Sequence, residues 1–233
     1  MAGKLWGIGV GPGDPDLITM KAVKVLAQVS VVCVPRARAG QPSLALSIAR
    51  EYLSPEAKVV ELTMPMTEVR EKLESAWREA AKTILGYLQA GEQVAFLTIG
   101  DPSLYSTFSY VNNVLQQEEA WLDTEVIPGI SSFSAAAARL GRPLAEGDEP
   151  LVVMPTPQGL DLSNELIDQS NLVLMKVSRD FDKLVHELSQ NHRLSEAALV
   201  SRVGQSQEFI TGDLEALQGQ KIDYLSLIIS RKP

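Results

Sequence analysis

Three short stretches carry residue types from which a ligand site can be built. The first is Gly7-Ile8-Gly9-Val10-Gly11-Pro12-Gly13-Asp14-Pro15-Asp16, with four glycines on alternate positions. The second is Thr98-Ile99-Gly100-Asp101-Pro102, and the third is Ile127-Pro128-Gly129-Ile130-Ser131-Ser132. Glycine has no Cβ and accepts φ > 0, so such loops let backbone come close to a ligand. A dinucleotide fingerprint does not fit: the third glycine of G-x-G-x-x-G falls on Pro12 or Asp14, and the run Val29–Val34 offers no acid for a ribose. A P-loop does not fit either, since no G-K-[ST] is present, and Asp14 and Asp16 repel phosphate. The first loop suits something other than a phosphate, or is a tight strand–helix turn without a ligand.

Each of these loops needs a strand before it and a helix after it. Apolar bulk and flanking turns predict strands over 4–10, 30–34, 58–62, 93–98 and 124–127. Helical periodicity is expected over 19–28, 43–53 and 67–89, with Thr19 and Thr67 as caps, and Gly91 closing the last of these. A helix carrying Leu104, Tyr105, Phe108, Val111, Val114 and Leu115 is expected after Pro102, and an alanine-rich one after Ser131-Ser132. This alternation predicts right-handed crossovers and a mainly parallel sheet. The loops then lie beyond the carboxyl ends of the strands, where open α/β sheets bind ligands.

The polar, turn-rich run Ala145–Pro150 is the best boundary in the chain, giving an N-terminal α/β domain over 1–146 and a C-terminal one over 147–233. Strands are expected near 151–154, 172–177, 197–200, 208–211 and 225–230, with helices over 163–168 and 181–190. Several connections are short, which predicts a mixed second sheet.

The 233 residues carry a net charge of −8, which argues against general nucleic-acid binding. The 45% apolar fraction fills a core, and no apolar run approaches a membrane span. The single cysteine, Cys33, excludes a disulfide framework, and the chain enters a strand too soon for a signal peptide; a reducing cytoplasm is expected. His186 and His192 match no zinc spacing, so no metal is expected.

The order and spacing of the three loops resemble the tetrapyrrole methyltransferases, which use S-adenosylmethionine in corrin and sirohaem synthesis. The run Gly100-Asp101-Pro102-Ser103-Leu104-Tyr105-Ser106-Thr107-Phe108-Ser109-Tyr110, with Leu174-Met175-Lys176-Val177, is similar to the C-20 branch of cobalamin synthesis, acting on precorrin-2 or cobalt-precorrin-2. The resemblance implies a homodimer of two-domain subunits with the cofactor held between domains. A relative methylating another tetrapyrrole carbon, such as uroporphyrinogen III, is the alternative; a non-enzymatic nucleotide-binding regulator is a third, disfavoured by the missing phosphate fingerprints.

Carried over residue by residue, the resemblance implies cofactor contacts at Pro12, Ile99, Gly100, Asp101, Leu104, Tyr105, Ser131, Ser132, Lys176, Val177, Leu225 and Ser226. Asp101 and the Ser131-Ser132 pair also read as helix caps, and Tyr105 as plain core. No residue identifies itself as a catalytic base; Tyr105 is the candidate. The substrate implied is rich in carboxylates, so local cations are needed on an acidic protein. Arg36 and Arg38 are candidates to hold it, with Arg139, Arg142 and Arg179 behind them, and Tyr110 is a candidate to stack on its ring.

Overall fold

The computed structural model describes residues 3–36, 43–119, 122–156, 162 and 164–232. The chain divides into two units, Met1–Ser131 and Ser132–Pro233. The polar run Ala145–Pro150 lies inside the second of these, because the alanine-rich helix that precedes it packs on the last strand of the second sheet.

The first unit is built on a five-stranded parallel sheet of β1 (Leu5–Gly9), β2 (Val31–Arg36), β3 (Lys58–Thr63), β4 (Val94–Thr98) and β5 (Thr124–Ile127). The strand order is β3-β2-β4-β1-β5. Residues 5 and 33 face one side, and residues 8 and 32 the other, as the period-2 pleat requires. On one side α3 (Arg70–Gln89) and α4 (Thr107–Glu118) cover Leu5, Cys33, Val94 and Phe96. On the other, α1 (Met20–Leu26) and α2 (Leu44–Ala49) cover Ile8, Val32, Ala95 and Leu97. Thr19 and Ser43 cap α1 and α2 through their hydroxyls. Thr67 does not cap α3: its hydroxyl accepts from Val69 N–H, and the helix starts at Arg70. Burial among apolar neighbours pushes the Cys33 thiol up to about 12, so it stays protonated and inert.

Register decides what this sheet presents. Gly9 pairs with Thr98 and Ile8 with Ile127, so β4, β1 and β5 end level with one another, side by side. The three glycine-containing loops therefore leave three adjacent strands at the same edge.

The second unit begins with α5 (Ser132–Leu140). Its sheet contains β6 (Leu151–Pro155), β7 (Asn171–Met175), β8 (Ala197–Ser201), β9 (Phe209–Thr211) and β10 (Ser226–Ser230), in the order β6-β7-β10-β8-β9. β6 and β7 are parallel and the other pairs antiparallel, a mixed sheet. The helix α6 (Glu165–Asp168) is short, and α7 (Phe181–Gln190) supplies Phe181, Leu184, Val185 and Leu188 to the core. Fully buried Arg193 ties this unit together: its guanidinium donates to the carbonyls of Ile167, Asp168 and Ser170 at the end of α6. The Ile167 carbonyl also accepts from Ser170 N–H, so the guanidinium adds to the turn that closes this short helix. No helix among the described residues is long and apolar enough to cross a membrane.

Candidate active site

The two Gly-Asp-Pro tripeptides fold alike. Asp14 Oδ1 accepts from Asp16 N–H, and the Asp14 carbonyl accepts from Leu17 N–H. Asp101 Oδ1 accepts from Ser103 N–H at 2.8 Å, and its carbonyl accepts from Leu104 N–H. Both are side-chain-stabilised turns with proline preset at the second position. The second differs by a long-range bond: Asp101 Oδ2 accepts from Gly129 N–H at 2.9 Å.

That bond sits where the loops meet backbone to backbone. Val10 N–H donates to the Thr98 carbonyl, and Gly100 N–H to the Gly11 carbonyl at 2.7 Å. A Cβ on Gly129 would lie 2.1 Å from the Gly100 oxygen, and one on Gly9 would lie 2.6 Å from the Gly129 nitrogen. No side chain other than hydrogen fits at either position. Burial pushes the Asp101 carboxyl up, but the Ser103 hydroxyl and the Ser103 and Gly129 N–H groups outweigh it and hold the carboxyl below its ordinary value.

The segment after Pro102 corrects the expected helix boundary. The helix starts at Thr107, with Ser106 as its cap through Phe108 N–H, so Leu104 and Tyr105 lie in the loop and Asp101 caps nothing. Tyr105 is held at φ 49° and is exposed, a backbone region that costs an aromatic L-residue about 1–2 kcal/mol. Strain of this kind concentrates at functional sites. Pro12 is buried, Ile99 is exposed, and Leu104 and Ser131 are half-buried. Tyr110, one turn into α4, is stacked on Trp77 of α3 with ring centroids 4.3 Å apart. Arg36 ends β2 in an ion pair with Glu61 of β3. Arg38 lies outside the described residues.

In the second unit, Ser132 is the first residue of α5. The strand expected over 172–177 stops at Met175, because Lys176 turns to φ 59°. Thr156 holds this break: its N–H donates to the Met175 carbonyl, and its hydroxyl to those of Met175 and Lys176. Val177 is buried in the second core. At the neighbouring strand end Arg202 also has positive φ, 50°, and its N–H donates to the Leu225 carbonyl. Ser226, paired with Ser201, is 3% exposed and its hydroxyl has no protein partner. Lys176, Arg202, Leu225 and Ser226 thus gather at one end of the sheet. The left-handed turns at Tyr105, Lys176 and Arg202 have no sequence signal, since none is Gly or Asn. Arg139 is engaged by Glu208, its Nε 2.7 Å from Oε1.

A model of the tetrapyrrole (corrin/porphyrin) methylases matches residues 4–218. The chain belongs to the tetrapyrrole methylases. This methylase is 36% identical over 231 residues to a Methanocaldococcus jannaschii protein named "probable cobalt-precorrin-2 C(20)-methyltransferase", covering 98% of this chain and 96% of that one. It is 32% identical to the precorrin-2 C(20)-methyltransferase of a Sinorhizobium species, covering 97% of this chain and 94% of that one. Its fold is that of the Thermus thermophilus uroporphyrin-III C-methyltransferase solved with S-adenosyl homocysteine, with a TM-score of 0.70, 21% identity, and coverage of 99% and 92%.

Proposed function

We propose that this methylase transfers a methyl group from S-adenosylmethionine to C-20 of cobalt-precorrin-2 in cobalamin biosynthesis. The observation that carries the proposal is near-full-length similarity to relatives named for that carbon. The relative named for the cobalt ring is the more similar of the two, which favours the cobalt-bound ring over the metal-free one.

The residues present suit this donor. It is a sulfonium cation without phosphate, and the loops 9–16, 99–105 and 128–132 contain no lysine or arginine but do contain Asp14, Asp16 and Asp101. S-adenosylmethionine, when bound, supplies an already activated methyl group, so the chain's task is to orient and to exclude water. Pro12, Ile99, Gly100, Leu104, Tyr105 and Ser131 are proposed as contacts in the first unit. Ser132, Lys176, Val177, Leu225 and Ser226 are proposed in the second, Val177 through its backbone because its side chain is in the core. Arg36 is proposed to reach a substrate carboxylate in exchange for Glu61, and Tyr110 to offer its outer face to the ring. A homodimer in the cytoplasm goes with this reading, on the family resemblance and the lone buried cysteine.

Calorimetry with S-adenosylhomocysteine, NAD and ATP tests the donor: binding of the first alone is expected, and binding of NAD or ATP instead contradicts it. Light scattering at micromolar concentration tests the dimer, and a species of single-chain mass overturns it.

A further inference from the structure

We propose that Asp101 is a positioning residue, acting on the methyl donor through the Gly129–Ser131 backbone and not by touching the donor itself. This deepens the function proposed above and rests on it. The Asp101 carboxylate already accepts three donors: Ser103 N–H, the Ser103 hydroxyl and Gly129 N–H. A carboxylate has about four acceptor sites, so little is left for a ligand. The partner matters more than the count. Gly129 belongs to the third loop, two residues before Ser131, and its backbone is wedged against Gly9 and Gly100 with no room for a Cβ. Asp14 makes the same local turn in the other Gly-Asp-Pro tripeptide, with the same bond to the residue two on. What distinguishes Asp101 is the bond across to Gly129. The carboxylate therefore fixes where the third loop stands relative to the second, and with it the Ser131 hydroxyl proposed to bind the donor.

The chemistry of an amide makes this testable. In Asp101→Asn one oxygen remains. If it keeps the turn to Ser103, the new NH2 faces Gly129 N–H, donor against donor, and the bond between loops is lost. Loss of a hydrogen bond to a charged group corresponds to about a 10- to 100-fold weakening when its effect is felt in full at the ligand. We expect S-adenosylhomocysteine affinity to fall by roughly tenfold or more in Asp101→Asn. We also expect Ser131→Ala to cost little further in that background, because the hydroxyl is already misplaced; coupled residues give non-additive losses. Amide exchange at Gly129 should accelerate in free Asp101→Asn. The wild-type chain gives a readout that needs no variant: on lowering pH, the Gly129 amide proton shift should move as the Asp101 carboxyl protonates.

Additive losses for Asp101→Asn and Ser131→Ala would overturn the proposal in favour of direct contact. So would a Gly129 amide whose shift ignores the carboxyl titration. A wild-type protein that does not bind S-adenosylhomocysteine would instead contradict the function on which the proposal rests, while the Gly129 titration would still report the bond between loops.

Discussion

The Thr98 and Ser106 hydroxyls lie 2.9 Å apart, both buried, at the two ends of the loop that carries Gly100, Asp101 and Tyr105. Thr98 ends β4 and Ser106 caps α4, so a single side-chain contact closes that loop at its base. The strained Tyr105 sits directly beside it.

Ser106→Ala is expected to destabilise the protein by about 2–3 kcal/mol. About 1 kcal/mol comes from the lost cap and the rest from leaving the Thr98 hydroxyl buried without a partner. Thr98→Val in the Ser106→Ala background should recover part of that loss, because it removes the orphaned group. Chemical denaturation of the two single variants and the double measures this.

Two glycines should respond in opposite directions to the same substitution. Gly129→Ala places a Cβ 2.1 Å from the Gly100 oxygen and is expected to cost several kcal/mol or to abolish folding. Gly86, inside α3, has nothing within 4 Å of a built Cβ. Gly86→Ala is therefore expected to stabilise by about 0.5–1 kcal/mol. Thermal melts decide both.

Glu208 gives a pH dependence with a defined sign. Burial pushes its carboxyl up, but Gly204 N–H and the Arg139 guanidinium outweigh that and lower it below its ordinary value. A carboxyl lowered in the folded state contributes stability above its unfolded value, and that contribution is lost as pH falls through the folded one. Glu208→Gln should lower stability at neutral pH and flatten the decline in acid, as denaturation midpoints at neutral and acid pH would show. Unchanged acid slopes in wild type and Glu208→Gln would contradict the assignment.

Arg193→Ala should be among the most destabilising single changes, at about 3 kcal/mol or more. It removes the guanidinium from the Ile167, Asp168 and Ser170 carbonyls and opens a cavity. Arg193→Lys should rescue little, since an ammonium is a compact point charge and cannot reproduce the planar fork. Urea titration of both variants checks this.

The parts of this site that were legible in the sequence are those marked by local chemistry. The strands before each loop are apolar runs, and the loops themselves are spelled by Gly, Pro and Asp. The Thr19 cap stands where a hydroxyl precedes an amphipathic run, whereas the Thr67 hydroxyl, expected to do the same, accepts from Val69 N–H ahead of α3. The parts that were not legible depend on partners far away in the chain. Tyr105 looked helical because its apolar spacing continued from Phe108 and Val111, yet Ser106 bonds back to Thr98 and starts the helix two residues later. Lys176 looked like strand for the same reason, until Thr156 held its carbonyl in a left-handed turn. Arg36 and Arg139 stand as candidates for substrate carboxylates in the sequence, where their partners Glu61 and Glu208, 25 and 69 residues away, give no local signal. The boundary at 145–150 rests on composition alone, and the compact units 1–131 and 132–233 reflect contacts that composition does not carry.

The carbon that receives the methyl group separates a C-20 enzyme from its relatives, and product mapping reads it out. Cobalt-bound and metal-free precorrin-2 would each be incubated with the wild-type protein and methyl-labelled S-adenosylmethionine, and the labelled product mapped by NMR. A single new methyl at C-20, a bridging carbon, is expected, formed faster on the cobalt-bound ring. A methyl on a pyrrole carbon would contradict it.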